Sequence, residues 1–216
     1  ALAQIRERVA LQRVVARFQR GLEARTLANL NHPHIVRIYD FGPIRRDAFY
    51  FAMEYIEGAS MSQVIRKQDM SRGEAMRLVC QVLRALHYAH EQGVIHRDMK
   101  FSNILISTNA RGEREAKVID FGIAKVSDTG DGITQNGDLL GSPYFMSPEQ
   151  ISDTTLDRRT DIYAIGIMLY KIVSGRYPFR ADNPQIILAG HLMREPDPIT
   201  MDESEAPVAP ELEAII

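Results

Sequence analysis

The sequence is short of several things at once. It has one cysteine, Cys80, in 216 residues, which excludes an internal disulfide framework and suits a reducing compartment. Cys80 sits in an apolar stretch of helical period and reads as a buried packing residue. The longest apolar run, Ile162 to Val173, is broken by Lys171 and is too short for a bilayer, so it reads as a helix that is hydrophobic all round and buried in a core. No segment resembles a signal peptide. Charge is nearly balanced, with 26 basic and 28 acidic side chains, a formal net charge of -2 and a pI near 6.3, which speaks against nucleic acid or anionic lipid as a partner. Lysine is scarce, five against 21 arginines, and the first is Lys67.

What is present is an ordinary globular composition, 45% hydrophobic and 25% charged. The chain does not open on Met and ends on a helical pattern, Glu211 to Ile216, so it reads as a piece of something longer. Residues 5–30 are rich in Arg, Glu, Leu and Ala at helix-like spacing, which predicts a helix closed by Asn31-His32-Pro33. Ile35 to Asp40 alternates as a strand, Phe41-Gly42-Pro43 predicts a turn, and Ala48 to Tyr55 a second strand ended before Gly58. Ser71 and Glu74 predict a capping box for a helix whose apolar face runs from Leu78 to Ala89. Short strands follow at Ile104–Ile106 and Ala116–Ile119, then a polar loop over 126–141. From Asp161 the pattern is helical. Strands early and helices late predict segregated α+β lobes.

Three motifs carry chemistry. His96-Arg97-Asp98-Met99-Lys100-Phe101-Ser102-Asn103 places a carboxylate, a lysine and an amide within one loop. A carboxylate there can orient a hydroxyl nucleophile and take its proton, a lysine two residues on can neutralise phosphoryl oxygens, and Asn103 can offer an oxygen to a hard cation. Asp120-Phe121-Gly122 adds a second oxygen ligand, and Asp plus Asn suffices for Mg²⁺. Gly122 frees the backbone beside Asp120, and Phe121 anchors it. Each motif alone is common. Together with Ser147-Pro148-Glu149, in this order, they are specific.

With these motifs the chain resembles the eukaryotic-type (Hanks-type) serine/threonine protein kinase catalytic domain along nearly its whole length. Phrases such as His32-Pro33-His34-Ile35-Val36 and Met146-Ser147-Pro148-Glu149-Gln150 look most like bacterial members. The resemblance implies a two-lobed α+β fold, with a partial N-terminal lobe over 1–56 (a helix, two strands and a hinge) and an incomplete, mostly helical C-terminal lobe over 57–216. It implies ATP and Mg²⁺ or Mn²⁺ as cofactors, with Asn103 and Asp120 as metal ligands. Asp98, Lys100, Asn103, Asp120, Arg97 and Ser142 would be the catalytic set. Met53 would be the gatekeeper, the backbone of Glu54 and Ile56 would hold the adenine, and Leu105 would lie beneath it. Glu23 would be the helix glutamate that pairs with a strand lysine, and Leu27 would stack toward Phe121 and His96. Asp161 would brace the catalytic loop, leaving His87, His90 and His96 as structural histidines.

The resemblance further implies proteins bearing Ser or Thr as substrates and control by phosphorylation within the loop at Ser127, Thr129 or Thr134. It allows self-phosphorylation or dimerisation. The domain would be cytoplasmic, tethered to a membrane only by segments outside this chain. The nucleotide-clamping side departs from the family. The chain starts too late to contain a glycine-rich loop, and Gln4 falls about where the strand lysine belongs unless that strand lies upstream. The arginine that normally pairs with Glu149 would fall beyond Ile216. An isolated fragment with these gaps would be weak or inactive. The alternative is a pseudokinase scaffold or nucleotide-binding regulatory module. An antibiotic-kinase type is disfavoured by the Ser-Pro-Glu segment.

Overall fold

Two small antiparallel sheets and a set of helices make up the fold, seen in a computed structural model that describes residues 9–14, 26–45, 48–121, 143–199 and 210–216. The first sheet has the order β1-β3-β2, where β1 is Val9–Val14, β2 is Ile38–Arg45 and β3 is Ala48–Glu54. Phe51 of the central strand is fully buried and stacks on Phe41 opposite it, with ring centroids 6.0 Å apart. The strand β1 corrects the helix expected over 5–30, of which residues 26–28 are helical. A short apolar run such as Val9-Ala10-Leu11 fits either state locally. Here β3 offers it an unbroken row of backbone partners from Val9 opposite Glu54 to Val14 opposite Phe49, and such long-range pairing outweighs a weak local preference.

Phe41-Gly42-Pro43 is a second correction, lying inside β2 instead of forming a turn. An edge strand tolerates Pro43, because one side of its backbone has no ladder to complete. Gly42 is required by close packing: a Cβ there would come within 2.9 Å of the Tyr50 ring, whose hydroxyl donates to Asp40 at 2.7 Å.

The second sheet, β4-β5-β6, comprises Gly58–Ser60, Ile104–Thr108 and Arg114–Val118. Gly58 lets β4 approach β5, since a Cβ would stand 2.0 Å from the Ile106 carbonyl oxygen. The sheets are joined through Val118, which donates to His34 O and accepts from Val36 N, both at 2.9 Å.

Helix α1 (Met61–Arg66) opens on a complete capping box between Ser60 and Gln63. Helix α2 (Arg72–Glu91) has half of one: Ser71 caps Glu74 N, while the Glu74 carboxylate turns to Arg114 and Arg77. Its buried stripe includes Leu78, Val82 and Leu86. Cys80 is exposed, contrary to expectation, because two residues beyond Leu78 is roughly 200° around the helix.

Helix α3 (Pro148–Ile151) is boxed by Ser147 and Gln150, and the largely buried α4 (Arg159–Ser174) ends at Gly175 in the left-handed conformation. Ile162 departs from the all-round burial expected of α4, being 49% exposed. Helices α5 (Pro184–Met193) and α6 (Pro210–Glu213) follow. One continuous core runs through Phe51, Leu86, Ile104, Val118 and Met168. The architecture is α+β with two lobes. Among the described residues no helix is long and apolar enough to cross a membrane.

Candidate active site

The site grows from the first turn of α4, which is polar yet buried. Thr160 and Asp161 are 1% and 0% exposed, so each must find partners. Thr160 donates to Glu149 Oε1 at 2.7 Å, and its hydroxyl lies 3.3 Å from that of Ser147. Asp161 reaches the catalytic loop: Oδ1 accepts from Arg97 N at 2.8 Å, and Oδ2 from His96 N at 2.9 Å and from His90 Nε2 at 2.7 Å.

Those bonds hold an unfavourable backbone. Arg97 has φ 64° and Asp120 has φ 59°, the left-handed region that side-chain-bearing residues avoid at a cost of about 1–3 kcal/mol each. Arg97 is gripped from both sides, since Gln150 Nε2 donates to its carbonyl at 2.7 Å. The turn swings Asp98 outward. Lys100 Nζ meets Asp98 Oδ2 at 2.8 Å, with both side chains about a quarter exposed. Asn103, only 5% exposed, donates its Nδ2 to the Asp98 carbonyl at 2.8 Å and to Asp98 Oδ2 at 3.1 Å. The three side chains singled out in this loop therefore form one cluster.

Asp120 is placed by the strand pair and by its neighbours. Ile119 N donates to Asn103 O at 3.0 Å, and His96 Nε2 meets Ile119 O at 2.9 Å. The His96 ring also packs on Phe121, centroids 4.7 Å apart. Burial lowers the His96 pKa, so it serves as a neutral packing and hydrogen-bonding ring. The donor set suits a hard divalent cation: Asn103 spends its nitrogen on Asp98, which leaves its amide oxygen as the donor, and Asp120 adds a carboxylate.

At the other edge, Met53 is buried and Leu105 half-buried. Glu54 N donates to Arg37 O at 2.8 Å. Its carboxylate is held by Lys117, with Nζ at 2.7 Å from both oxygens. Lys117 stands opposite Leu105 in the β5-β6 pair, so this ion pair ties the Glu54 segment to the strand leading to Asp120. Spacing could not reveal it, since the partners are 63 residues apart. Ile56 is half-buried and Leu27 buried in the core. Glu23, Ser142, Gln4, Gly122, Ser127, Thr129 and Thr134 lie outside the described residues. A cleft of about 480 Å³ opens elsewhere, between Met70, Arg72 and Lys171, with none of these groups in its lining.

A second buried cluster was not legible in the sequence. Tyr163 of α4 bonds His191 Nδ1 of α5 at 2.6 Å. Burial pushes His191 from the ordinary 6.5 down to about 4, outweighing a small opposing pull from the Pro143 carbonyl. The unfolded chain takes up this proton near pH 6.5, while the folded chain resists until about pH 4. Stability is therefore full above pH 6.5 and falls as pH drops toward 4, by at most roughly 3 kcal/mol from this residue. Urea unfolding at pH 7.5 and 5.0 should show that loss, and His191→Gln should flatten it; an equally steep loss in the variant would exclude His191 as a source.

A loop carboxylate bound to a lysine and an amide, with that loop hydrogen-bonded to the end of the strand leading to an aspartate, stands in an α+β fold of two lobes. The chain belongs to the protein kinase family: the family model described as protein kinase domain matches residues 7–212. It is 41% identical over 209 residues to the serine/threonine-protein kinase pkn3 of Myxococcus xanthus, covering 95% of this chain and 38% of that protein. It is 38% identical over 205 residues to the serine/threonine-protein kinase PknB of Mycolicibacterium smegmatis, covering 93% of this chain and 32% of that protein. It is 40% identical over 185 residues to pkn2 of Myxococcus xanthus, another serine/threonine-protein kinase, covering 85% and 22%. The chain thus spans little more than a third of the curated relatives it matches, or less.

Proposed function

We propose that this chain transfers the γ-phosphoryl group of ATP to Ser or Thr hydroxyls of proteins. The observation that carries the reading is the Asp98–Lys100–Asn103 cluster, with Lys100 Nζ and Asn103 Nδ2 both on the Asp98 side chain. Asp98 orients the substrate hydroxyl and receives its proton as the oxygen bonds to phosphorus and ADP leaves. Lys100 neutralises the transferring phosphoryl oxygens. Asn103 Oδ1 and the Asp120 carboxylate would hold Mg²⁺ or Mn²⁺, which would supply positive charge to offset that of the nucleotide phosphates. Met53, the Glu54 and Ile56 backbone and Leu105 form the adenine pocket, Glu23 belongs to the phosphate clamp, and Ser142 joins Asp98 and Lys100. The lobes divide at 56/57. Arg97 reads phosphorylation at Ser127, Thr129 or Thr134; activity left unchanged by alanine at all three would rule this control out. The domain works in the cytoplasm, on other proteins or on a second copy of itself.

The test is label transfer from γ-labelled ATP and Mg²⁺ to dephosphorylated casein by the full-length protein. Wild type should incorporate phosphate on Ser or Thr and Asp120→Asn should not; equal incorporation would end the reading.

One observation favours the second reading, a pseudokinase. The β1 strand reads Val9-Ala10-Leu11-Gln12, the family's strand pattern with Gln in place of lysine. Its register sets Ala10 opposite Met53 and Gln12 opposite Phe51, which supports Gln12 over Gln4 as the residue at the lysine's place. A glutamine can hydrogen-bond phosphate but brings no charge. If this strand clamps the nucleotide, Gln12→Lys should raise phosphotransfer at least about tenfold, since clamp groups of this kind are worth that or more. An unchanged rate would place the clamp elsewhere.

A further inference from the structure

The Tyr163–His191 pair belongs to no part of the machinery above, yet it is built at the cost of burying a polar ring. His191 is 6% exposed, and its Nε2 makes no hydrogen bond among the described residues. A buried nitrogen left this way calls for an explanation. Tyr163 has its own pKa pushed up to about 12 by burial, so its hydroxyl keeps its proton and can donate to Nδ1. The neutral imidazole then carries its one proton on Nε2. Helix α5 packs against the turn that Pro143 opens, and the Pro143 carbonyl is near enough to pull on the His191 pKa, although Nε2 makes no hydrogen bond to it by geometry.

Pro143 opens the 3₁₀ turn Pro143–Phe145, the segment just before Ser147-Pro148-Glu149. That turn is clasped by aromatic rings. Tyr144 stacks on Tyr177 at 4.3 Å, and Phe145 packs edge-on against both Tyr177 and Phe101 at 5.6 Å. Phe101 lies in the catalytic loop, two residues before Asn103. On the opposite side, α5 is seated tightly. A Cβ on Gly190 would stand 3.0 Å from the Phe179 ring, and the His191 ring sits edge-on to Phe179 at 4.8 Å. The ring thus has little freedom to turn away from the segment.

We propose that His191 is a positioning residue for the protein substrate, which docks on the segment from Pro143 to Glu149: Tyr163 fixes its tautomer and orientation so that Nε2–H can hold the Pro143 carbonyl, bracing that segment against α5 when a substrate engages it. Hydrogen bonds in functional sites are often long or poorly aligned without ligand and tighten in the complex, which accounts for the bond not being made here. The inference rests on the reading of protein phosphorylation for its consequence, though the brace itself is a feature of the fold.

The test uses the full-length protein with three variants and two readouts. His191→Gln keeps a donor where Nε2 stands, His191→Asn keeps only the Nδ1 side, and Tyr163→Phe frees the tautomer. With dephosphorylated casein, KM should rise about three- to tenfold, one hydrogen bond's worth, in His191→Asn and Tyr163→Phe. In His191→Gln it should stay near wild type, and kcat and the KM for ATP should move little in all three. The second readout needs no turnover: amide exchange at Tyr144 to Ser147, with casein present, should quicken in the same two variants and be restored by Gln. Absence of phosphotransfer by wild type would sink the proposed function and leave the exchange arm to decide the brace. Gln behaving like Asn in exchange, or all three variants matching wild type, would overturn the inference.

Discussion

Asp161→Ala should cost about 3–5 kcal/mol of folding stability and abolish phosphotransfer with it. Asp161 is fully buried and accepts from two backbone amides of the catalytic loop and from His90. Truncation leaves those donors in a dry interior with nothing to bond, and breaking a buried charged network of this kind costs that much. The loss would be local in origin. Arg97 at φ 64° is held by Asp161 on its N–H and Gln150 on its carbonyl. Without Asp161 the strained turn can relax and Asp98 loses its direction. Asp161→Asn separates the two effects, since an amide keeps one acceptor oxygen: its stability should fall between wild type and Ala. Urea unfolding of the three proteins decides this, and a cost below about 1 kcal/mol for Ala would mean that the loop is held by something else.

Lys100→Met should lower kcat by roughly 10²–10³, the effect of removing one preorganised group from developing charge, while leaving the fold intact. The Lys100–Asp98 pair is partly exposed, and such pairs add little to stability. Under the proposed function its value lies in the placement of a positive charge at the reacting group. The expected signature is an unchanged unfolding midpoint with a collapsed rate. A variant that loses stability and rate together would assign Lys100 a structural role.

How much of this was legible in the sequence depended on the range of each interaction. The loop cluster was, because Asp98, Lys100 and Asn103 lie within five residues and one local turn brings them together. Asp161 was reached through the family resemblance, and His90, expected to be structural, bonds its carboxylate. The strand Val9–Val14 was not legible, since only its pairing with β3 separates it from a helix. Gly42 and Pro43 read as a turn because those residues usually make one, and only the edge position of β2 permits them in a strand. Cys80 was misplaced because apolar content was read without its angle around α2. Lys117–Glu54 and Tyr163–His191 join elements far apart in the chain, and no spacing rule announces them.

The central claim is that Asp98 lies at the reacting hydroxyl. Single-turnover transfer of γ-phosphate from saturating ATP and Mg²⁺ to casein, compared between wild type and Asp98→Asn, tests it most directly. The account predicts a rate lower by about 10²–10⁴ in the variant, with ATP affinity retained because Asp98 is not in the adenine pocket or the metal donor set. Equal rates, or equal absence of transfer with Gln12→Lys present in both, would contradict it.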